Sequence, residues 1–135
     1  MSEDRTLFGS GRYPDSGLLA ILARVAFLVA VLAIVIAVFL PSKMVPQFLR
    51  SHYLEHFAAF YVAFLTALCA VPRLQLRRMA VSFGIGATLL EATHLGSGAQ
   101  FAPLMLNWIA DIGGLAAAAA PIVVERFRRR FHLAP

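Results

Sequence analysis

The sequence predicts an integral membrane protein that folds as an all-α, four-helix up-down bundle. Sixty per cent of the 135 residues are hydrophobic and 14% are charged, whereas soluble domains have about 45–50% and about 25%. The mean hydropathy of +0.77 agrees with a membrane protein. Four apolar stretches occur, at about 18–40, 52–71, 79–95 and 103–124. Each is close to the ~20 residues that cross a ~30 Å hydrocarbon layer, and short connections favour antiparallel neighbours.

The first apolar stretch follows a polar segment, residues 1–17, which we predict to be a mobile cytoplasmic tail. Residues 25–40 contain no polar side-chain atom, and they lead into Pro41 without a small-residue cleavage site. This apolar core exceeds the ~7–15 residues that are usual in a signal peptide. We therefore predict an uncleaved first span.

The other three spans are bounded by residues that end or begin helices. The second is closed by Pro72, the third ends in a Gly-Ser-Gly turn at 96–98, and the fourth begins near Pro103, a favourable first-turn residue. The transmembrane domain is thus predicted to cover 18–124. The single cysteine, Cys69, is expected to be a buried small residue of the second span.

Basic residues are unequally distributed among the loops, and this distribution orients the bundle. Ten lie near the N terminus, between spans two and three, or at the C terminus: Arg5, Arg12, Arg24, Arg73, Arg77, Arg78, Arg126, Arg128, Arg129 and Arg130. The remaining connections contain only Lys43 and Arg50. The positive-inside rule therefore places both termini, including a basic tail at 125–135, in the cytoplasm. It also explains the net charge of +5 without a nucleic-acid partner.

Three carboxylates, Glu55, Glu91 and Asp111, lie inside the apolar runs. An acid at bilayer depth costs about 2.5–3.5 kcal/mol on insertion scales, so such residues usually mark functional sites. With a rise of about 1.5 Å per helical residue, Glu91 on an ascending helix and Asp111 on a descending one reach the same level. We expect these two acids to face each other in the outward half of the bundle.

Two histidines and one amide accompany the acids. His94 follows Glu91 by three residues and Asn107 precedes Asp111 by four, so each pair shares one helical face. His56 enters the same outward level from the second span. The catalytic candidates are Glu91, Asp111 and His94. The ligand-binding candidates are His56, Asn107 and Glu55, the last being equally compatible with simple solvation near the interface.

No Lys or Arg is predicted at this depth, so Glu91 and Asp111 cannot both stay ionised unless a histidine, water or a cation offsets them. One acid is expected to be protonated when the site is unliganded, or a protonated histidine pairs with an acid. Two histidines with two carboxylates also suit zinc or a related ion, although no HExxH motif is present. A further interpretation is that these polar residues only hold the helices together through interhelical hydrogen bonds. The metal and any cofactor are unknown from sequence.

Several short motifs between about 51 and 121 make the chain resemble the VanZ-like membrane proteins. These are His-Phe-Ala-Ala-Phe at 56–60, Glu91 followed by His94, and Asn107 with Asp111 before glycines. His94 stands where that family has glutamine, and the last acid–amide pair is inverted. Gln100 lies near the place of the family's arginine before the last helix.

The resemblance implies a small multi-pass protein of the bacterial inner membrane with a role in the cell envelope. Our leading hypothesis is an outward-facing polar pocket that binds a lipid headgroup or a lipid-linked envelope precursor. One alternative is an intramembrane hydrolase or transferase that uses Glu91 or Asp111 with His94. Another is a structural or assembly subunit of a membrane complex. Whether the protein is an enzyme is left open by the sequence.

Overall fold

The computed structural model describes residues 7–41 and 43–132. It contains helices α1 (Leu18–Phe39), α2 (His52–Ala70), α3 (Leu76–Gly96) and α4 (Phe101–His132), and no strand lies within the described residues. The prediction of an all-α helical bundle is confirmed. Helix α2 packs most extensively against α4, while α1 lies on α2 and α3 lies on α4.

Three helices, α1, α2 and α4, are long and apolar enough to cross a membrane, which indicates a multi-pass membrane protein. Helix α3 is comparable in length, with 21 residues. It is less apolar because it carries several glycines and hydroxyl residues together with Glu91 and His94. Its membrane crossing, and the cytoplasmic placement of both termini, stay predictions from the sequence.

Helix α4 is longer than the predicted fourth span. It runs for 32 residues to His132, through Pro121, instead of ending near residue 124. Arg129 Nε donates a hydrogen bond to Glu125 Oε1 over 2.8 Å, an i,i+4 pair that supports the additional turns. Residues 125–132 of the predicted basic tail are therefore helical. Residues 133–135 lie outside the described part of the chain.

Helices α2 and α4 approach closely at Gly114. A Cβ atom on this residue would overlap the carbonyl oxygen of Phe57 and lie 3.0 Å from the backbone nitrogen of Tyr61. The ring of Phe57 also lies 3.4 Å from the Cβ position of Gly113. Small residues allow such backbone contact between membrane helices. The crossing therefore depends on the missing side chain of Gly114.

An apolar core lies on the other side of this crossing, toward the predicted cytoplasmic end. The ring of Phe83 on α3 lies 5.1 Å from that of Phe64 on α2 and 6.4 Å from that of Phe27 on α1, measured between centroids. These separations are typical of favourable aromatic pairs. Cys69 lies outside the buried face of α2 and is exposed, so the prediction of a buried cysteine is wrong.

Residues 8–17, part of the segment predicted to be a mobile tail, form a loop that is held by hydrogen bonds. The Asp15 carboxylate accepts hydrogen bonds from three backbone N–H groups: Ser10 at 3.3 Å, Gly11 at 3.3 Å and Gly17 at 3.0 Å. Arg24 donates to the carbonyl oxygen of Asp15 over 2.7 Å. The guanidinium of Arg73 lies 5.0 Å from the ring centroid of Tyr13, which joins this loop to the α2–α3 turn. Residues 1–6 lie outside the described part.

We expect this loop to open in acid. The backbone N–H of Gly17 holds the pKa of the Asp15 carboxyl below its ordinary value of 3.8. Because the folded pKa is the lower one, the stabilisation is present above the ordinary value and is lost as pH falls through the folded value. The amide resonance of Gly17, followed by NMR in detergent micelles, should titrate with a midpoint below 3.8, and Asp15→Asn should abolish the titration. A midpoint at or above 3.8 would contradict the hydrogen-bonded loop.

Candidate functional site

Three side chains from three helices meet in the interior of the bundle: His56 from α2, Glu91 from α3 and Asp111 from α4. Each offers one possible metal-ligand atom, and these atoms all lie within 4.8 Å of one another. His56 Nδ1 lies 2.9 Å from Asp111 Oδ1 and 3.8 Å from Glu91 Oε1. We call these three residues the polar centre.

The α2–α4 crossing explains how two members of the polar centre meet. Asp111 lies one turn before Gly114, on the face of α4 that contacts α2, and His56 directly precedes Phe57. Glu91 reaches them from the last turns of α3. The connection from α3 to α4 is short, and Gly98 within it has a φ of +91°, a conformation that suits glycine. The polar centre is thus built on helices and not on loops.

The polar centre is most deeply buried at Asp111, which is 1% exposed, and Glu91 is 7% exposed. The side chain of His56 is 20% exposed. Among the described residues, the ion-pair partners of both carboxylates are histidines. Two acids therefore share a buried site in which no lysine or arginine balances their charge.

Among the described residues, two buried side-chain oxygen atoms lack a hydrogen-bond partner. They are Oε2 of Glu91, in the polar centre, and Oδ1 of Asn107, one turn from Asp111 on α4. More than about 90% of buried polar groups in proteins are paired, and an unpaired one costs about 1–3 kcal/mol. His94 Nδ1 is 3.6 Å from Glu91 Oε2, which is too long for a hydrogen bond. Both unpaired atoms are acceptors on these side chains, so what the site lacks is a donor or a cation.

His94 lies beside the polar centre, with its Nδ1 3.6 Å from Glu91 Oε2, as its spacing from Glu91 suggested. Asn107 is 7% exposed and lies one turn from Asp111 on the same face of α4. The side chain of His94 is 33% exposed and forms the rim next to Glu91. The structure therefore brings together four of the six residues proposed as catalytic or ligand-binding, namely His56, Glu91, His94 and Asp111, and it places Asn107 one turn from Asp111.

Glu55 is the sixth, and the structure does not bring it into the polar centre. Its Oε1 accepts hydrogen bonds from the backbone N–H groups of Phe48, at 2.6 Å, and Leu49, at 3.0 Å. The carboxylate therefore holds the α1–α2 connection against the first turn of α2. A loop contact of this kind requires a residue about seven positions away, so helical spacing within α2 could not indicate it.

His52 lies against the polar centre, although sequence reasoning gave it no role. Its ring contacts the ring of His56 edge to face, with 4.7 Å between centroids, and its side chain is 57% exposed. The i,i+4 spacing of His52 and His56 was the available signal, because it places both rings on one face of α2. Accessible surface thus increases from Asp111 through His56 to His52.

The polar centre has two chemical capabilities. The hydrogen bond between Asp111 and His56 Nδ1 would orient the imidazole and support its other nitrogen, Nε2, as a general base. One imidazole nitrogen and two carboxylate oxygens could also hold a metal ion. The ligand atoms lie so close together, within 4.8 Å of one another, that a single ion or water can contact all three.

A comparison of the chain with protein-family models, with curated proteins and with solved structures finds no match. The resemblance to the VanZ-like proteins therefore stays an expectation from short motifs. The geometry of the polar centre is the basis on which a function can be proposed.

Proposed function

We propose that this chain is a multi-pass protein of the bacterial inner membrane that acts in the cell envelope. Its polar centre binds a polar group of a membrane-borne ligand, either a lipid headgroup or a lipid-linked envelope precursor. The observation that carries the proposal is the convergence of two buried carboxylates and an imidazole beside a buried acceptor oxygen that has no partner. The proposed outward position rests on the distribution of basic residues.

A purely structural role accounts less well for this arrangement. Polar side chains that lock membrane helices together do so by pairing with one another, at about 0.6 kcal/mol per contact. Here the buried Glu91 Oε2 and Asn107 Oδ1 are left without donors. The free-energy cost of an unpaired buried oxygen exceeds the stabilisation from one such contact. A site that is incomplete by itself is expected to be completed by a ligand.

The ligand must supply hydrogen-bond donors or positive charge, because the unpaired atoms are acceptors. Amines and hydroxyls of headgroups have this chemistry, and they occur at the membrane surface next to the helix ends. His94 lies at the rim of the polar centre and His52 lies beside His56, so both are placed to contact a ligand that is too large to enter. Membrane lipids are therefore the partner class that we propose.

An intramembrane hydrolase or transferase is a second candidate, favoured by the 2.9 Å contact between His56 Nδ1 and Asp111 Oδ1. An imidazole oriented by a carboxylate is a common general base. Glu91, or His94 at the rim beside it, would then accept the proton of the attacking group or donate one to the leaving group. Both candidates require an ionisable carboxyl at position 91 or 111.

The test pairs stability with cellular function in the variants Glu91→Gln and Asp111→Asn. We expect both to stay folded in detergent with chelator present, with an equal or higher melting temperature, because a desolvated acid has been removed. Neither should restore the phenotype of a deletion strain. Glu125→Gln, at an exposed ion pair on α4, is the matched control and should restore it fully. Full complementation by Glu91→Gln and Asp111→Asn would show that the polar centre serves only to hold the helices together.

A further inference from the structure

We infer that the polar centre is a divalent transition-metal site in which His56 Nδ1 and one oxygen each of Glu91 and Asp111 are the three protein ligands. The inference rests on the proposed function, and it names the group that completes the site. Zinc is the ion that we assign.

The distances already resemble those of a coordination sphere. With metal–ligand bonds of about 2.0–2.2 Å, neighbouring ligand atoms lie roughly 3–4 Å apart. His56 Nδ1 is 2.9 Å from the Asp111 oxygen and 3.8 Å from the Glu91 oxygen, and no pair of ligand atoms exceeds 4.8 Å. Small side-chain adjustments would therefore enclose an ion.

The charge of the site favours a divalent ion. Two carboxylates and a neutral imidazole carry a charge of −2, which one divalent cation cancels. A net charge at bilayer depth is costly, and the described cationic partners of these acids are histidines only. A proton on His56 and another on Glu91 would also give neutrality, but the Glu91 hydroxyl would then need an acceptor, and His94 Nδ1 at 3.6 Å is too distant.

The unpaired oxygen of Asn107 is a second observation that a donor or cation is missing on this buried face of α4. Asn107 does not belong to the cluster, yet it is 7% exposed, lies one turn from Asp111 on the same helical face, and has an Oδ1 atom without a donor. Zinc with three protein ligands keeps a position for water or another polar group. A water bound there would carry hydrogens that an unpaired acceptor, such as Glu91 Oε2 in the polar centre, can accept.

The ligand types separate the candidate ions. Calcium and magnesium prefer shells made of oxygen atoms alone, whereas imidazole suits zinc and its first-row neighbours. The combination of one imidazole with two carboxylates therefore favours Zn²⁺, with Mn²⁺ as a weaker competitor and Ca²⁺ as a non-binder.

The experiment uses the full chain, purified in detergent and stripped of metal with a chelator. Isothermal titration with ZnCl₂ should show one saturable site per chain, and the melting temperature should rise with zinc concentration. Glu91→Gln and Asp111→Asn should each weaken this binding by more than about 100-fold, since even second-shell changes cost 10–100-fold. Glu125→Gln should bind zinc as the unchanged protein does, and CaCl₂ should produce no shift.

Visible absorption of the Co²⁺-loaded, unchanged protein tests the metal site without relying on the stability of any variant. Loading the unchanged protein with Co²⁺ should give visible absorption bands of an imidazole- and carboxylate-bound ion, and an excess of Zn²⁺ should remove them. Equal zinc affinity in Glu91→Gln and the unchanged chain, or no bands with Co²⁺, would overturn the metal site.

The metal site and the proposed function can fail separately. Stable variants that lose complementation in a protein that binds no zinc would leave the proposed function standing and remove the metal. Zinc binding that is lost in Glu91→Gln, together with full complementation by this variant, would keep the metal site and remove its proposed role in the cell envelope.

Discussion

Alanine in place of Gly114 is expected to destabilise the protein by about 3 kcal/mol, the upper end of the range for overpacking. The added Cβ would meet the backbone carbonyl of Phe57 and the backbone nitrogen of Tyr61. Backbone atoms cannot rotate away as a side chain can, so α2 and α4 must separate. Unfolding in a denaturing detergent, monitored by circular dichroism, measures the loss. The matched control is Gly86→Ala on α3, where the added Cβ meets nothing within 4 Å.

The same substitution should also damage the polar centre. His56 is next to Phe57 on α2 and Asp111 is one turn from Gly114 on α4, so a separation of these helices lengthens the 2.9 Å contact between them. We therefore expect Gly114→Ala to weaken zinc binding, while Gly86→Ala should not. Equal stability and equal metal affinity in the two variants would show that the helices do not cross at Gly114.

Removal of His56 is the second change with a large expected effect. His56→Ala leaves Asp111, which is 1% exposed, without its hydrogen-bond partner and next to a second acid. Breaking a buried pair in this way costs about 3–5 kcal/mol, because an uncompensated charge stays behind. The measurement is the free energy of unfolding with chelator present. His52→Ala, at a largely exposed imidazole on the same face of α2, should change it by less than about 0.5 kcal/mol.

A double variant separates lost packing from lost charge compensation. In His56→Ala with Asp111→Asn, one of the two charges has been removed, so most of the lost stability should return. The lost packing of the imidazole would not return. If the double variant is no more stable than His56→Ala alone, the cost comes from the cavity and not from the unpaired acid.

Much of the fold could be predicted because it depends on local properties. Apolar length predicted four spans, and three of the four helices, α1, α2 and α4, are long and apolar enough to cross a membrane. Glycine and proline turns marked the limits of most helices to within a few residues. Helix α4 is the exception. A membrane span ends where the lipid ends, but a helix continues while its residues favour it, and the Glu125–Arg129 pair extends α4 to His132.

Part of the candidate site was predictable for a similar reason. The rise per residue is the same in every α-helix, so counting along the chain placed Glu91 and Asp111 at one depth. The two acids lie together in the polar centre. The i,i+3 and i,i+4 spacings likewise identified His94 and Asn107 as their neighbours.

The sequence by itself determined which helices form, which polar residues they carry and which of these residues share a level along the bundle. Only the tertiary structure decided which of them meet. His56 on α2 contacts Asp111 on α4, and the ring of His52 packs against that of His56. Glu55 instead binds the backbone of the α1–α2 connection. Depth follows from counting along one helix. The direction in which a side chain points depends on how each helix is rotated about its axis, and contacts between distant residues, such as Gly114 against Phe57, set that rotation.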